Sequence, residues 1–241
     1  MKHLKVFIGI VMLLVAASCT KSHTVDGGQV VFTVSNNQHL ADMTKSNVSD
    51  FTALPSADDF TITITGSDYK WEGKISAWDP QSVLMAGDYK VTATYGDIEV
   101  EGFDKPFFAG TQSFKVVGGE SASVSVPVSL GNTVVKISCS ENFRNYYKDY
   151  TFTLTRDGSD IVTFVKDDTR AAFVDGYKLA IKGVLTGEVK TSVFTAEYSN
   201  LKEATAYTFN FDVNNVGGSS ITISFNDTVE TVELGDFELN D

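Results

Sequence analysis

The sequence has little proline, few histidines and only two cysteines. Its 241 residues include 4 Pro, 3 His and 2 Cys. His3 lies in the basic and apolar amino-terminal segment, and His23 and His39 lie in polar segments outside the regular strand pattern. A Ser-His-Asp or Cys-His arrangement, or a histidine-rich metal site, therefore has nothing to build on in the rest of the chain. We predict no cofactor and no metal.

Basic residues are also scarce. The chain has 19 Lys and Arg against 31 Asp and Glu, a net charge of −12. Without Lys2 and Lys5, which lie in the amino-terminal segment described next, 17 basic and 31 acidic residues leave −14. Such a surface repels phosphate backbones, so nucleic acid is excluded as a partner.

The amino-terminal apolar run is short and ends at a cysteine. Val6 to Val15 is about half of the roughly 20 residues that a membrane span needs. Basic residues precede this run and Ala16-Ala17-Ser18 follow it, as in a secretory signal. Cys19 directly after small residues resembles the lipobox of bacterial lipoproteins, in which the thiol receives a diacylglycerol.

The lipobox resemblance implies a lipoprotein signal peptide over residues 1–18 and a lipidated tether over residues 19–27. Cys19 is then the lipidation site, and its acyl chains are the contact with a membrane. A plain signal peptide with an incidental cysteine is the alternative. If Cys19 carries lipid, Cys139 has no disulfide partner in the chain. Cys139 alternates with Val135 and Ile137, which predicts an inward, small apolar side chain rather than a nucleophile.

Period-two alternation dominates the rest of the chain. In "DDFTITITG" the apolar residues Phe60, Ile62 and Ile64 alternate with threonines, as in a half-buried strand. The same alternation gives further inward sets: Tyr89, Val91, Ala93 and Tyr95; Val124, Val126, Val128 and Leu130; Tyr150, Phe152 and Leu154; Tyr177, Leu179 and Ile181; Tyr207, Phe209 and Phe211; Ile221, Ile223 and Phe225. Turn residues such as Asp157-Gly158 and Gly217-Gly218 separate these runs. Only "SENFRNYYKDY" could form one or two helical turns.

Many short strands at about ten-residue spacing predict an all-β protein. We expect two tandem antiparallel β-sandwich domains of immunoglobulin/transthyretin-like type, over residues 28–130 and 131–241, with the boundary at "SLGNT". "FTITITGSDYKWEG" and "AGDYKVTATYG" are loosely echoed by "YTFTLTRDGSD" and "DGYKLAIKGV". This echo is either a distant repeat or the common appearance of strands and hairpins.

The order of these segments resembles a known family. "GQVVFTVS", "MTKS", "DDFTITITG" and "LMAGDYKVTATYG" are followed by the most specific part, Phe103 to Phe114 and Gly118 to Lys136, and then by "SENFRNYYKDYTFTL". Together they resemble a Bacteroidetes envelope lipoprotein family of unknown function, neighbouring the fimbrillin-like adhesin and pilin proteins. The resemblance implies an outer-membrane lipoprotein facing the surface or the periplasm, acting as an adhesin or pilus-associated structural subunit. It supplies no catalytic residues, and we predict no enzymatic activity.

The same resemblance draws attention to Lys45, the basic residue of the polar linker after "GQVVFTVS". In fimbrillin-like pilins, proteolysis after a basic residue removes the first strand, and a strand of another subunit fills the groove. Cleavage after Lys45 would allow such self-assembly by strand exchange. The alternative is a first strand that stays paired in a monomer, followed by an ordinary loop.

Two tryptophans raise the possibility of glycan binding. Trp71 and Trp78 in "KWEGKISAW" could present flat rings to a sugar, which would make the chain a carbohydrate-binding lipoprotein of a glycan-uptake system. Seven residues apart, they face opposite sides of one continuous strand unless Gly73 introduces a bulge. The alternative is one tryptophan in the core and one partly covered.

Several acidic and aromatic pairs have both a functional and a structural interpretation. Asp58-Asp59 and Asp167-Asp168 are either glycosidase-like carboxylates or residues of strand starts and turns. Asp157 with Asp160 is either a calcium site or a turn, and it lacks the alternating ligand spacing of a calcium loop. Phe107 and Phe108 are expected to pack over one end of a sandwich rather than to lie exposed.

Overall fold

The computed structural model of the chain describes residues 26–40, 46–213, 220–225, 228–233 and 235–236. The strands of the first half are β1 (Gly27–Asn37), β2 (Thr61–Thr65), β3 (Lys70–Lys74), β4 (Val83–Met85), β5 (Gly87–Tyr95), β6 (Gly102–Phe103), β7 (Phe108–Val116) and β8 (Ser121–Leu130). Three short 3-10 turns span Val48–Asp50, Ala57–Asp59 and Ile75–Ala77.

The second half begins with β9 (Thr133–Cys139) and one short helix, α1 (Glu141–Tyr146). It continues with β10 (Asp149–Arg156), β11 (Ser159–Phe164), β12 (Ala172–Val174), β13 (Lys178–Thr186), β14 (Thr191–Ser199), β15 (Ala206–Val213), β16 (Ser220–Phe225), β17 (Thr228–Glu233) and β18 (Gly235–Asp236). The Ser140 side chain caps α1 by accepting the Phe143 N–H at 3.0 Å. The predicted helical turns in "SENFRNYYKDY" are confirmed.

The first sheet has the order β3-β2-β5-β7-β8-β1-β4 and folds over into two layers. β7 and β8 pair only at Phe108↔Leu130 and Ala109↔Ser129. Gly110 allows the close approach that follows, because a Cβ at this position would lie 1.9 Å from the carbonyl oxygen of Pro127. Inward residues of both layers share one hydrophobic cluster, in which the rings of Phe32 and Phe114 lie 5.4 Å apart.

The second half contains two further sheets. Their orders are β11-β10-β13-β14-β18 and β17-β16-β15-β9-β12-β6. They face each other across a second hydrophobic cluster, in which Phe152 of β10 stacks on Phe211 of β15 at 4.2 Å. The protein is therefore predominantly β, and its sheets form a sandwich-like arrangement.

Two strand pairs depart from the predicted antiparallel arrangement. β1 runs parallel to β8, and β9 runs parallel to β15. Parallel neighbours need a long crossover, and here several strands lie between the two members of each pair. In each half, the first strand is thus a parallel neighbour of a strand much later in the chain.

The alternation predicted most of the core. The predicted inward sets of β8 and β10 are buried, as are Cys139, Tyr207, Phe209 and Phe211. Tyr177 was wrongly assigned to the core, since its side chain is 72% exposed. It lies in the bend before β13, where its N–H donates to Asp175 Oδ1 at 2.9 Å, so the strand register does not govern its direction.

The two halves of the chain are joined by backbone pairing. β6 belongs to the first half but pairs with β12 through Ala172↔Phe103 and Phe173↔Gly102. Phe173 in turn belongs to the hydrophobic cluster of the first half. The predicted boundary at residues 130 and 131 falls between β8 and β9, and the division into two domains stays a prediction.

Candidate functional site

One outer surface of the first sheet carries no charged side chain. It is formed by the outward residues of three neighbouring strands, which alternate with the buried residues of the core. These twelve residues are Gln29, Val31, Thr33, Ser35 and Asn37 of β1, Ser121, Ser123, Ser125, Pro127 and Ser129 of β8, and Val83 and Met85 of β4. The chain as a whole has 21% charged residues, so this surface differs from the average composition. We refer to it as the uncharged face.

The opposite layer of the same sheet is charged. Its outward positions on β2, β3, β5 and β7 alternate with the core in the same way. They include six charged residues: Lys70, Glu72, Lys74, Asp88, Lys90 and Lys115. The contrast shows that lack of charge is a property of one face and not of the whole sheet.

The uncharged face is apolar at the end where β1 begins. Val31, Val83 and Met85 are 45%, 56% and 62% exposed. The remainder of the face is small and hydroxyl-rich, so another protein surface can approach it closely. Contact there requires no charge to be removed from water, and charged residues are depleted at the centre of protein interfaces for this reason.

β1 also has a half-open edge. It pairs with β8 from Gln29 to Asn37, but with β4 only from Gly27 to Gln29. In the ranges that the structure describes, no strand pairs with β1 on the β4 side beyond Gln29. The Trp78 Nε1–H occupies one position there by donating to the Val30 carbonyl at 2.8 Å. Unpaired backbone groups of this kind can accept a further strand.

The structure brings the two tryptophans together, but not as a flat platform. Their ring centroids lie 5.1 Å apart with an interplanar angle of 77°. Trp78 is buried and also packs edge-on against Phe32. Trp71 is half-buried on the edge strand β3. The predicted glycan platform therefore depends on Trp71 alone.

Cys19 and Lys45 lie outside the described residues, so lipidation and processing stay predictions. Gly217-Gly218 lies outside them as well. Cys139 is a buried free thiol, as predicted, and burial raises its pKa to about 12. A neutral thiol is a poor nucleophile, so the structure gives Cys139 the properties of a core residue.

The acidic pairs have structural partners. Asp59 accepts the Ser56 N–H at 3.0 Å at the start of a 3-10 turn. Asp167 accepts the Tyr150 hydroxyl at 3.1 Å, and Asp168 lies 2.6 Å from Arg170. The hydrogen bond from Arg170 lowers the pKa of Asp168, which disfavours the protonated form that a glycosidase acid needs.

The remaining predicted sites are also turns and core. Asp157 forms an ion pair with Lys178 and, with Gly158, adopts positive φ angles of 48° and 82°, as the predicted tight turn requires. Phe108 is fully buried, and the Phe107 N–H donates to Asn132 Oδ1 at 2.5 Å.

Among the described residues, no group of three or more His, Cys, Asp and Glu is placed to hold a metal ion. No helix within the same ranges has the length and apolar character to cross a bilayer.

The uncharged face was not predicted from the sequence. The sequence does contain an indication of it, because the outward-facing residues of "GQVVFTVSNN" and "SASVSVPVSL" include no Asp, Glu, Lys or Arg. Each strand alone is too narrow to define a surface. The parallel pairing of β1 with β8 makes the two rows adjacent, and that pairing is not visible in the sequence.

The chain belongs to a family of unknown function that is defined by sequence. A family model described as "Domain of unknown function (DUF4493)" matches residues 26–240, so this chain is a member of that family. No curated protein matches the sequence.

Solved structures that are similar to this chain come from species of Bacteroides and Parabacteroides. A "putative cell adhesion protein" from Bacteroides eggerthii is 13% identical, with 87% of this chain and 97% of that chain covered and a TM-score of 0.46. A protein of the same description from Bacteroides ovatus is 12% identical, with 90% and 99% covered and a TM-score of 0.44. A fimbrial assembly protein from Parabacteroides distasonis is 7% identical, with 88% and 100% covered and a TM-score of 0.45.

Proposed function

We propose that this protein is a lipid-anchored, non-enzymatic cell-envelope protein that acts through protein contacts, as an adhesin or a fimbrillin-like, pilus-associated subunit. The observation that carries the proposal is the uncharged face, bounded by the half-open edge of β1. Two chains of this composition repel each other, because each carries a net charge of −12 before processing. At the uncharged face such chains, or another acidic envelope protein, can meet without like charges in direct contact, and the repulsion between the more distant charges is screened by salt.

The proposed anchor lies close to this face. Seven residues lie between Cys19 and Gly27, the first residue of β1, so the two are eight residue steps and at most about 28 Å apart. An acylated Cys19 would therefore hold the sandwich within a few nanometres of the membrane. The uncharged face would then be presented to other proteins anchored in, or passing, the same membrane.

β1 is the element that assembly would use. It supplies Val30 and Phe32 to the core and also forms the middle of the uncharged face. A partner can bind the face while β1 stays in place, or a strand can add along its open edge. Cleavage after Lys45 would go further and remove β1 altogether. We propose that a partner binds the uncharged face while β1 stays in place. Removal of β1 would be seen separately, as a mature chain that begins after Lys45.

The experiment compares one charge placed on each outer face. Ser125→Glu places a carboxylate on the uncharged face, and Ser113→Glu places one on the charged layer of the same sheet. Both serines are exposed and point outward from a strand, so the variants are closely matched. The full-length protein is expressed in a Bacteroidetes host, and intact envelopes are treated with an amine-reactive cross-linker.

We expect cross-linked species of higher mass in the parent protein and in Ser113→Glu, and a loss of at least about tenfold in Ser125→Glu. Equal cross-linking in all three proteins, or none in the parent, would contradict the proposal. Mass spectrometry of the same envelopes shows whether the mature chain begins at acylated Cys19 or after Lys45. Protease added to intact cells then distinguishes a surface location from a periplasmic one.

A further inference from the structure

A second surface feature lies in the other half of the molecule, on the outward side of β10, β13 and β14. It is a groove with a volume of about 790 Å³. Its lining includes the turn at Asp157-Gly158, Asn200 directly after β14, and the small side chains of Ala180 and Thr155. Its volume is within the range of about 300 to 1,000 Å³ that is typical of small-ligand sites.

Tyr177 lines this groove with a ring that is 72% exposed. Its backbone is nevertheless fixed on both sides. The Tyr177 N–H donates to Asp175 Oδ1 at 2.9 Å, and the Tyr177 carbonyl accepts the Asn200 N–H at 3.0 Å. A large aromatic side chain on an anchored backbone, left open to water, is a feature of binding surfaces rather than of ordinary loops.

The backbone next to Tyr177 is also hydrogen-bonded to residues at the junction between the two halves. The N–H of Asp175 donates to Glu101 Oε1 at 2.5 Å, and its carbonyl accepts from Arg156 Nη2 at 2.7 Å. The segment that carries Tyr177 is therefore hydrogen-bonded to two partly buried charged side chains. This fixed geometry reduces the entropy that a ligand would otherwise have to overcome on binding.

The charges of the groove are balanced, although the chain as a whole is acidic. It is lined by three basic residues, Arg156, Lys178 and Lys182, and three acidic ones, Asp157, Asp160 and Glu197. Of these, Arg156 is ion-paired with Glu101 outside the groove, and Lys178 is paired with Asp157. An anionic ligand would need an excess of positive charge, and a purely apolar ligand would need an apolar lining. A neutral ligand with many hydroxyl groups fits best, because each hydroxyl can donate to a carboxylate and accept from an ammonium group.

We propose that this groove binds a neutral oligosaccharide, with one sugar ring stacked on Tyr177 and its hydroxyls hydrogen-bonded to Lys182, Glu197 and Asn200. The small side chains of Ala180 and Thr155 leave room for the ring above the sheet. The site is separate from the uncharged face and from the two tryptophans. Its test therefore does not depend on the proposed function.

The test is native gel electrophoresis of the Cys19→Ala chain in gels that contain barley β-glucan, yeast α-mannan, potato galactan or polygalacturonate. Tyr177→Ala removes the stacking ring, and Tyr177→Phe keeps it. Tyr146→Ala is the matched control, because Tyr146 is also exposed and lies on α1, outside the groove. Thermal melting shows that each variant is folded before it is used.

We expect at least one of the three neutral polysaccharides to retard the parent chain. Tyr177→Ala should then weaken binding at least about tenfold, which corresponds to about 1.4 kcal/mol. Tyr177→Phe and Tyr146→Ala should bind like the parent. Absence of retardation in all three neutral gels overturns the proposal, as does binding to polygalacturonate alone. Equal retardation of Tyr177→Ala and the parent overturns it as well.

Discussion

Arg156 at the end of β10 forms a bidentate ion pair with Glu101 of the other half of the chain. Arg156 Nη1 lies 2.5 Å from Glu101 Oε2, and Nη2 lies 2.9 Å from Oε1. The two side chains are 26% and 11% exposed, so the pair is partly shielded from water. The hydrogen bond to Glu101 raises the pKa of Arg156, which stays charged. This pair lies beside the β6–β12 pairing and fixes the junction between the two halves.

Glu101→Ala is expected to destabilise this junction. The change leaves the Arg156 guanidinium without its carboxylate, so that only the backbone carbonyls of Lys178 and Asp175 still accept from it, and it leaves the Asp175 N–H without its acceptor. The free energy of unfolding should therefore fall by about 2 kcal/mol. Urea unfolding measures the loss, and hydrogen exchange should show faster exchange in β6 and β12. The control is Glu72→Ala, which breaks an exposed ion pair with Lys70 and should cost less than about 0.5 kcal/mol. Similar small losses in both variants would show that the Glu101 pair contributes no more than a surface contact.

Replacing the two tryptophans separates their roles. Trp78→Ala removes a buried ring and its hydrogen bond to Val30, and should lower the free energy of unfolding by about 3 to 5 kcal/mol. Trp71→Ala removes a half-buried ring from an edge strand and should cost about 1 to 2 kcal/mol. Urea unfolding of both variants tests this order. A larger loss in Trp71→Ala would contradict the packing described above.

Two buried tyrosines should respond differently to loss of the hydroxyl. The Tyr147 hydroxyl is buried and makes no hydrogen bond in the described structure, whereas the Tyr150 hydroxyl donates to Asp167. Tyr147→Phe should therefore leave stability unchanged or raise it by up to about 1 kcal/mol, and Tyr150→Phe should lower it by about 1 kcal/mol. Thermal melting of the pair is sufficient. A clear loss in Tyr147→Phe would show that its hydroxyl has a partner.

Local features of this fold could be predicted from the sequence because they depend on near neighbours. The alternation of Phe60, Ile62 and Ile64 placed all three in the core. The turn at Asp157-Gly158 follows from residues that tolerate positive φ. Cys139 follows the same alternation as the strand around it, and its buried position was predicted for that reason.

Features that depend on distant parts of the chain could not be predicted. The uncharged face exists because β1 lies parallel to β8, about 90 residues later in the chain. Glu101 and Arg156 are 55 positions apart, and neither is distinctive in the sequence. Tyr177 continued the alternation of Leu179 and Ile181, but the bend before β13 turned it outward. Non-local pairing therefore decided the uncharged face and the junction between the two halves, whereas a local bend decided the exposure of Tyr177.

Cys139 gives a prediction that depends on pH. Burial raises the pKa of its thiol to about 12, and smaller opposing effects come from the Tyr150 hydroxyl and Arg144. An unfolded cysteine has a pKa of about 8.5, so at pH 8.5 the folded thiol is ionised in roughly one molecule in three thousand. Alkylation of the Cys19→Ala chain by iodoacetamide at pH 8.5 should therefore be at least about 1,000-fold slower than in guanidinium chloride.

The same shift makes Cys139 a source of stability that is lost in alkali. Because the pKa is raised by folding, the contribution is complete below about pH 8.5 and declines as the pH rises toward 12. At pH 10 the loss amounts to up to about 2 kcal/mol. Buried tyrosines such as Tyr147, whose pKa is also raised to about 12, titrate in the same range. The measurement is therefore the difference in unfolding free energy between the parent and Cys139→Ala, from pH 7 to pH 10. This difference in unfolding free energy should shrink as the pH rises. A difference that stays constant would show that the thiol is not buried as described. Rapid alkylation of the folded chain at pH 8.5 would show the same.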